Sequence, residues 1–239
     1  MMRLDKMLSN LGYGSRKDVK MIIRKGRVKV NDTIIKKDDF KFDPDKEKVY
    51  IDDILVEYKP LVYIMMNKPQ GVISATEDKV HKTVVDLIQG YDHYHVHPVG
   101  RLDKDTEGLM LLTNDGILTR ELLFPSKKAY KLYYAKLKNP RKEGDEQAFL
   151  DGIVIDTGYR CQPSELIYLS DYEAHIRITE GKFHQVKKMF EAIDNEVIYL
   201  KRLEMKGLKL DPNLKLGEYR ELTEEEMDVL GISELHANL

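Results

Sequence analysis

The chain has 239 residues, a length typical of one or two domains. Its 39 lysines and arginines nearly balance its 41 aspartates and glutamates, which argues against a strongly basic nucleic-acid binder. A hydrophobic share of 42% with 33% charged residues excludes a disordered chain, and the lack of an 18-residue apolar run excludes a membrane-spanning helix. The single cysteine, Cys161, and an N-terminus without a signal-like apolar region predict a cytoplasmic protein without an internal disulfide.

The charge is distributed unevenly along the chain. Residues 1–37 contain eleven basic and three acidic side chains, a net charge of +8, so the remaining residues carry −10. Most charge runs are solvated helix faces, and that interpretation stays open. The density of positive charge nevertheless favours a binding site for a polyanion, because a local field of this size is hidden in the total.

The first segment predicts a small helix–helix–hairpin unit. Apolar residues at positions 4, 7, 8 and 11 recur with helical spacing. Ser15 followed by Asp18 is typical of a capping box, which predicts a second helix that ends near Arg24. Valines and isoleucines between positions 28 and 35 predict two short strands with a turn at Asn31-Asp32.

The second helix gives this unit a cationic face. The basic side chains on or beside the second helix that we expect to bind a polyanion are Arg16, Lys17, Lys20, Arg24, Lys25 and Arg27.

Pro60 indicates a linker, so we predict two domains, at 1–59 and 60–239.

The larger segment predicts an α+β domain. Its strands do not alternate regularly with long helices, which favours a mixed or antiparallel sheet flanked by helices over a doubly wound sheet. Thr223 with Glu226 predicts the cap of a final helix. The expected strands are 62–66, 109–112, 131–138, 174–179 and 197–203, and the expected helices include 117–124 and 183–192.

Familiar cofactor and metal motifs are absent from the sequence. There is no phosphate-binding GxxxxGK[ST] loop, no GxGxxG, no HExxH and no GxSxG. His93, His95 and His97 would share one face of a strand, but no carboxylate or cysteine cluster accompanies them as further metal ligands. We therefore predict no metal site and interpret these histidines as part of a polar strand or loop.

A glycine-bracketed polar loop follows these histidines. In residues 100–116, carboxylates and an arginine precede an apolar strand and a tight turn, which is a suitable place for a catalytic acid. A surface turn is the simpler alternative. Asp103-Lys104-Asp105-Thr106, read alone, also resembles the phosphate-accepting motif of haloacid-dehalogenase-type phosphatases. That motif should end a buried strand, whereas here the apolar run comes afterwards.

Several segments, taken in order, resemble one known family. GRLDKDTEGLMLLTNDG at 100–116 resembles the signature of the pseudouridine synthases that modify ribosomal RNA, of the small-subunit 16S type. The family's other motifs are resembled by NKPQGVIS within 62–74, by Lys131-Leu132-Tyr133, by EGKFHQVKKMF at 180–190 and by the segment 206–226. The first fifty residues resemble the RNA-binding module named after ribosomal protein S4.

The resemblance implies catalysis without metal or cofactor. Asp103 would be the essential aspartate and would act on the ribose–uracil unit, by attack on the sugar or by enabling proton loss from it. Tyr133 would lie against the target base and assist the final proton removal. Lys187 would pair with Asp103 and keep it ionised, although many relatives carry arginine at that place, which offers a bidentate fork.

The resemblance also implies an RNA partner. Arg101 would contact RNA beside the flipped nucleotide, Lys182 and Lys188 would contact phosphates, and the cationic face of residues 1–37 would bind the RNA backbone. We expect the protein to be a monomer. We expect its substrate to be 16S rRNA or a small-subunit assembly intermediate, since no long basic tail follows the catalytic domain. A 23S rRNA enzyme of the same family and a non-catalytic ribosome-assembly factor stay open as alternatives.

Overall fold

The computed structural model describes residues 1–44, 46–124 and 129–237, with the side chain of His93 also outside the description. The described chain forms two compact units. The first contains Met1–Val62 and Gln89–His95, and the second contains Tyr63–Ile88 and Val96–Leu239. Among the described residues, no helix combines the length and the apolar character that a membrane crossing requires.

The first unit consists of two helices and short strands around one core. Strands β2, β3, β5 and β6 form a sheet in the order β3-β2-β5-β6, and β1 pairs with β4. Helix residues such as Leu8 and Ile23 are fully buried against strand residues such as Val28. The elements are β1 (Met2–Arg3), α1 (Leu4–Asn10), α2 (Arg16–Arg24), β2 (Val28–Val30), β3 (Thr33–Ile35), β4 (Lys41–Phe42), β5 (Val49–Ile51) and β6 (Ile54–Val56).

Local chemistry explains where these elements begin and end. Ser15 accepts the amide of Asp18 and the Asp18 carboxylate accepts the amide of Ser15, so the predicted capping box of α2 is confirmed. Gly26 and Asn31 adopt positive φ values of 73° and 52°, which residues of these two types tolerate at a helix end and in a tight hairpin. The predicted helix–helix–hairpin unit is confirmed.

The second unit contains a mixed sheet flanked by helices. In the described residues the strand order is β11-β12-β10-β13-β9-β7-β15, with β14 paired to β13 and β8 paired to β9. The strands are β7 (Tyr63–Lys68), β8 (His97–Pro98), β9 (Glu107–Thr113), β10 (Lys131–Leu137), β11 (Glu165–Ser170), β12 (Glu173–Ile178), β13 (Val197–Met205), β14 (Leu208–Lys209) and β15 (Tyr219–Glu221). The helices are α3 (Gly116–Leu123), α4 (Asp145–Asp151), α5 (Gln185–Glu191), α6 (Glu224–Leu230) and α7 (Ile232–His236).

Strand β9 lies in the interior of this sheet, between β13 and β7. Every residue of β9 is buried, which explains the apolar run at 109–112. It runs antiparallel to β7 and parallel to β13. Gly108 is required at this junction, because a Cβ atom there would lie 2.2 Å from the Arg202 carbonyl oxygen. The α+β fold and the mixed sheet agree with the predicted class.

Some predicted elements differ from the structure. The helix expected at 183–192 begins only at Gln185, because His184 adopts a left-handed conformation with φ 53°. His93, His95 and His97 do not share a strand. Residues 92–94 form a 3-10 turn, His95 has φ 52°, and His97 lies in β8 with its Nε2 atom 2.9 Å from Thr119 Oγ1. Across the described residues, no group of three or more metal-ligating side chains comes together.

Candidate active site

The predicted catalytic loop, residues 99–106, joins β8 to β9 and is called the Asp103 loop. It ends in a tight turn in which the Thr106 amide donates to the Asp103 carbonyl at 3.0 Å. The Gly71 amide donates to the Lys104 carbonyl at 2.8 Å and ties the loop to the segment after β7. The Asp103 side chain is 24% exposed, so its carboxylate faces open space while the backbone behind it is bonded.

A buried lysine fixes this turn from within the core. Lys68, at the end of β7, has no exposed surface, and its Nζ donates to the carbonyls of Pro69, Asp103 and Thr106 at 3.1, 3.0 and 2.9 Å. Burial lowers the pKa of Lys68 to about 8, and the charge of Asp103 opposes this shift. At neutral pH the ammonium is therefore mostly protonated, and its three N–H groups match three acceptors.

A buried serine holds the residue before Asp103. Ser74 Oγ donates to the Leu102 carbonyl at 3.0 Å and accepts the Leu102 amide at 2.9 Å. Both backbone groups of Leu102 are thereby satisfied by one side chain. Together, Lys68 and Ser74 bond the backbone on both sides of the Asp103 carboxylate.

The side chain of Lys187, on α5, lies between two carboxylates of the Asp103 loop. Its Nζ atom is 3.3 Å from Asp103 Oδ2, the ion pair expected from the resemblance, and 2.6 Å from Asp105 Oδ1. Burial raises the pKa of Asp105, but the hydrogen bond and charge of Lys187 outweigh it, so the net shift is downward. Asp105 thus competes with Asp103 for one ammonium group, which the sequence analysis did not anticipate.

Asp103 opens into a pocket beside Tyr133. Tyr133 lies on β10 and is almost fully buried, and His184 Nε2 lies 3.6 Å from Asp103 Oδ1. Apolar side chains close the walls, and the hydroxyl of Thr106 is buried there without a hydrogen-bond partner among the described residues. The lining residues are Arg101, Leu102, Asp103, Thr106, Tyr133, Ile178, Gly181, Lys182, His184, Gln185, Val186 and Leu200.

The two tyrosines near Tyr133 point their hydroxyls elsewhere. The Tyr130 hydroxyl donates to Glu204, and the Tyr134 hydroxyl donates to Glu173. Strand alternation explains this for Tyr134, the next residue after Tyr133 on β10, and Tyr130 precedes the strand. Neither of these two tyrosines lines the pocket.

Comparison with known proteins decides the family. Residues 62–192, more than half of the chain, match the family model described as RNA pseudouridylate synthase, and residues 2–47 match the S4 domain. The chain belongs to the RNA pseudouridine synthase family. It is therefore an isomerase that acts on RNA, and its S4 domain binds RNA. The phosphatase interpretation of the Asp103 loop is excluded, as the position of the loop before β9 also indicates.

Similar proteins match this pseudouridine synthase along almost their whole length. The "Uncharacterized RNA pseudouridine synthase YtzG" of Bacillus subtilis is 47% identical, over 96% of this chain and 98% of its own. A "Ribosomal small subunit pseudouridine synthase A" of Yersinia pestis is 35% identical, over 98% and 100%. A solved structure titled "Crystal structure of pseudouridylate synthase" is 33% identical with a TM-score of 0.68, over 96% and 100%. The predicted two-domain architecture of S4 and synthase folds is confirmed.

The cationic face of the S4 domain is partly neutralised by aspartates. Arg24 lies 2.7 Å and Lys20 3.9 Å from Asp38, and Arg27 is hydrogen-bonded to Asp52. Residues 1–59 contain fifteen basic and eleven acidic side chains, so the net charge is +4, compared with +8 for residues 1–37 alone. Three of the six RNA contacts predicted in the S4 domain have exposed side chains that form no ion pair with any described residue. They are Arg16, Lys17 and Lys25.

The predicted RNA contacts near the pocket differ in their freedom to bind. Arg101 is exposed and lines the pocket, as does Lys182, whose Nζ lies 4.6 Å from the centre of the Tyr159 ring. Lys188 is bonded to both carboxylate oxygens of Asp156, at 2.9 and 3.1 Å. Two of the three N–H donors of Lys188 are therefore engaged, so this lysine is less free to bind a phosphate than Arg101.

The supporting residues of the site were largely missed in the sequence. In the sequence, Asn67-Lys68-Pro69 is equally consistent with a brace of the catalytic loop and with a surface turn, and the structure shows that Lys68 is a brace. No sequence pattern indicates the supporting roles of Ser74, Asp105 and Thr106 around Asp103. The available signal for Lys68 is its position two residues after the apolar run 62–66, where only a fully hydrogen-bonded ammonium can be buried.

Proposed function

We propose that this pseudouridine synthase isomerises one uridine of 16S rRNA, with Asp103 as the catalytic residue. The observation that carries the proposal is the Asp103 carboxylate, which opens into the pocket beside Tyr133 while Lys68 holds its backbone. The reaction breaks a carbon–nitrogen glycosidic bond and forms a carbon–carbon bond without net oxidation or hydrolysis. A positioned carboxylate is sufficient as the reacting group for such a step.

Each polar group around Asp103 has a proposed role. Asp103 acts on the ribose–uracil unit, by attack on the sugar or by promoting proton loss from it. Lys187 supplies the positive charge that keeps a carboxylate ionised when RNA excludes water from the pocket. Tyr133 packs against the uracil and assists the final proton removal from the ring carbon. Arg101, exposed at the rim, contacts RNA beside the flipped nucleotide.

The pocket walls suit a base that is detached from its sugar. Leu102, Ile178, Val186 and Leu200 surround the polar groups with apolar surface. Such walls hold the uracil between bond breakage and bond formation and exclude water that would intercept the sugar. The uridine must first leave its stack, which costs a few kcal/mol, and contact with Tyr133 offsets part of this cost.

The choice of 16S rRNA rests on relatives that cover the whole chain. Proteins of Yersinia pestis, Salmonella typhimurium and Escherichia coli named "Ribosomal small subunit pseudouridine synthase A" are 35–36% identical over 95–98% of this chain. On this proposal the exposed Arg16, Lys17 and Lys25 bind phosphates of free 16S rRNA or of a small-subunit assembly intermediate. A ribosomal substrate also implies a cytoplasmic location.

Pseudouridine mapping across all rRNA in a strain that lacks this protein tests the proposal. We expect one 16S position to lose its modification and to regain it with the wild-type gene. Loss at a 23S position instead would overturn the small-subunit assignment. No lost rRNA position at all would overturn the rRNA substrate altogether.

Complementation with Asp103→Asn tests the catalytic role. We expect no restored modification and no product from the purified variant, with RNA affinity within about twofold of wild type, because the amide keeps the shape but loses the negative charge. Asp151→Asn, an exposed carboxylate on α4, serves as the matched control with full activity. Product formation by Asp103→Asn at a rate close to wild type would refute this role.

A further inference from the structure

An exposed aromatic ring lies at the rim of the pocket. Phe183 is the residue between Lys182 and His184, both of which line the pocket, and its side chain is 72% exposed. Its ring is stacked on the His184 imidazole, with ring centres 3.8 Å apart and planes 19° apart. One face of Phe183 is therefore covered by His184. Single exposed apolar residues are common on proteins, so the position and orientation of this one carry the argument.

The geometry of the turn keeps the pair in place. His184 adopts a left-handed backbone conformation, and its Nε2 atom lies 3.6 Å from Asp103 Oδ1. Gln185 is buried and binds the turn on two sides, accepting the Lys182 amide at 2.8 Å and donating to Glu180 at 2.8 Å. The stacked rings, which we call the Phe183–His184 platform, are therefore held between α5 and the Asp103 carboxylate.

The charges around the platform match those needed by a nucleic-acid strand. Arg101 and Lys182 line the adjoining pocket and supply positive charge at the rim. Lys188, which is paired with Asp156, has its Nζ over the Phe183 ring at 5.9 Å from the ring centre. Every nucleobase offers a flat π-face with a phosphate attached through its sugar, and single-stranded RNA is bound by such combinations of aromatic rings and cations. A hydrophobic protein segment would instead be poorly matched by these flanking charges.

We propose that Phe183 stacks on an unpaired nucleobase next to the target uridine. The Phe183–His184 platform then holds the strand at the rim while the uridine turns toward Asp103. Stacking of a base on a protein aromatic ring contributes about a five- to 150-fold gain in affinity. This inference rests on the proposed RNA substrate, but it concerns a different contact from those made by Asp103, Tyr133 and Lys187.

Kinetics with a 16S rRNA transcript test the platform. For Phe183→Ala we expect the KM to rise at least about fivefold, with kcat within about threefold, because the lost contact binds RNA and does not touch the reacting atoms. Phe183→Tyr should stay close to wild type, since it retains the π-face. Tyr172→Ala, a half-exposed aromatic in the turn between β11 and β12, is the matched control with unchanged KM. Similar KM values for Phe183→Ala and wild type would overturn the inference.

A readout without catalysis separates this inference from the proposed function. The probe is a single-stranded oligouridine with one central 2-aminopurine, whose fluorescence falls when it stacks on an aromatic ring. We expect wild type and Phe183→Tyr to quench it and Phe183→Ala to lose the quenching. Quenching without modification of 16S rRNA would overturn the proposed substrate and support the platform. Modification of 16S rRNA with quenching unaffected by Phe183→Ala would overturn the platform and leave the enzyme's function standing.

Discussion

The cations that contact the Asp103 loop and those of the S4 domain are held in different ways. Lys68 is fully buried and donates to three carbonyls, and Lys187 is 18% exposed between two carboxylates. On α2 the basic side chains are mostly exposed, and Arg24 pairs with Asp38 at 2.7 Å. Displacement of Lys68 would move the Asp103 carboxylate, which is the group proposed to react, and displacement of Lys187 would remove the positive charge beside it. Loss of one exposed cation on α2 only changes the total charge of that face. The function of the Asp103 loop therefore depends on particular contacts, whereas RNA binding by the S4 face depends on the number of its cations.

The difference extends to the backbone around each group. The Asp103 loop is bonded on both sides of its carboxylate by Lys68 and Ser74, and it leads into β9 through Gly108. The cations of α2 project from one amphipathic helix whose opposite side, including Val19 and Ile23, packs into the core of the first unit. Substitutions in the loop should therefore affect stability and rate together, whereas substitutions on α2 should affect RNA affinity alone.

The largest effect is expected from Gly108→Ala. The new Cβ would lie 2.2 Å from the carbonyl oxygen and 2.8 Å from the amide nitrogen of Arg202, which belong to the neighbouring strand β13 and cannot rotate away. We expect the free energy of unfolding to fall by more than about 3 kcal/mol, measured by urea denaturation.

Gly71→Ala is the matched control for this clash. Gly71 also has a positive φ, of 83°, but no atom lies within 4 Å of the position that its Cβ would take. For Gly71→Ala the free energy of unfolding should fall only by the backbone strain of a side chain in this conformation, about 1–2 kcal/mol. Equal losses in the two variants would show that conformation alone, and not contact with β13, makes Gly108 necessary.

Lys68→Met should give the next largest loss. The change removes the donor from three buried carbonyls, so we expect the free energy of unfolding to fall by about 2–4 kcal/mol. The released turn should also displace Asp103, and a displacement near 1 Å lowers the rate about 100-fold. Urea denaturation and single-turnover rates measure both effects.

Lys131→Met offers a control of the same residue type. Lys131 is also buried, and burial likewise lowers its pKa to about 8, but among the described residues its Nζ donates only to the Ala129 carbonyl. We expect a smaller loss of stability and rate than for Lys68→Met. The idea that Lys68 acts through the Asp103 loop would be wrong if Lys131→Met slowed the enzyme as strongly.

The fold was more predictable than the site, for physical reasons. Helix α2 and the final capped helix follow from local hydrogen bonding at Ser15 and Thr223, which the sequence displays within four residues. Asp103 and Tyr133 were found through a resemblance, since their proximity depends on a sheet that pairs β10 with β13 and β13 with β9. Pairing of that kind joins residues far apart in the chain and leaves no local pattern.

The supporting contacts are less predictable still. The second carboxylate at Lys187 depends on how far one flexible side chain reaches toward a loop 82 residues away. The late start of α5 depends on a left-handed His184, a conformation that asparagine and glycine favour more than histidine does. In the S4 domain, the aspartates that pair with Arg24 and Arg27 come from a loop and a hairpin that follow the basic segment. The sum over residues 1–37 therefore overstated the field.

Lys187→Gln tests the shared ammonium of the loop. We expect the maximal rate to fall about 10- to 100-fold, because the charge beside Asp103 is lost, while Lys187→Arg retains the charge and stays within about tenfold of wild type. Single-turnover kinetics at saturating enzyme measure both rates. A rate for Lys187→Gln equal to that of Lys187→Arg would show that charge at this place is unimportant.

The same substitution predicts a pH dependence of stability. Lys187 lowers the pKa of Asp105 in the folded protein, so this pairing stabilises the fold above the ordinary pKa of an aspartate and is lost as the pH falls through the lowered value. The stability deficit of Lys187→Gln should therefore be largest at neutral pH and should shrink below about pH 4. Urea denaturation from pH 7 to pH 3 measures this trend, and a deficit independent of pH would argue against it.

The smallest effects are expected on the S4 face, and they sharpen the contrast with the loop. Replacing Arg16, Lys17 and Lys25 together by glutamine should leave stability and kcat unchanged. The plot of log association constant against log salt concentration should become less steep, its absolute slope falling by about two to three, because each unpaired cation releases counterions from the RNA when it binds a phosphate. Fluorescence polarisation with a labelled 16S transcript from 50 to 200 mM salt measures the slope.

The matched triple variant replaces Lys20, Arg24 and Arg27 by glutamine. Their ion pairs with Asp38 and Asp52 already neutralise two of these three positive charges. A cation that exchanges an aspartate for a phosphate releases fewer counterions, so this variant should lower the slope by about one or less. Equal slopes for the two triples would mean that the ion pairs of the S4 face open without cost when RNA binds. In that case the number of cations alone, and not their pairing, would determine its affinity, and the face would differ from the Asp103 loop even more completely.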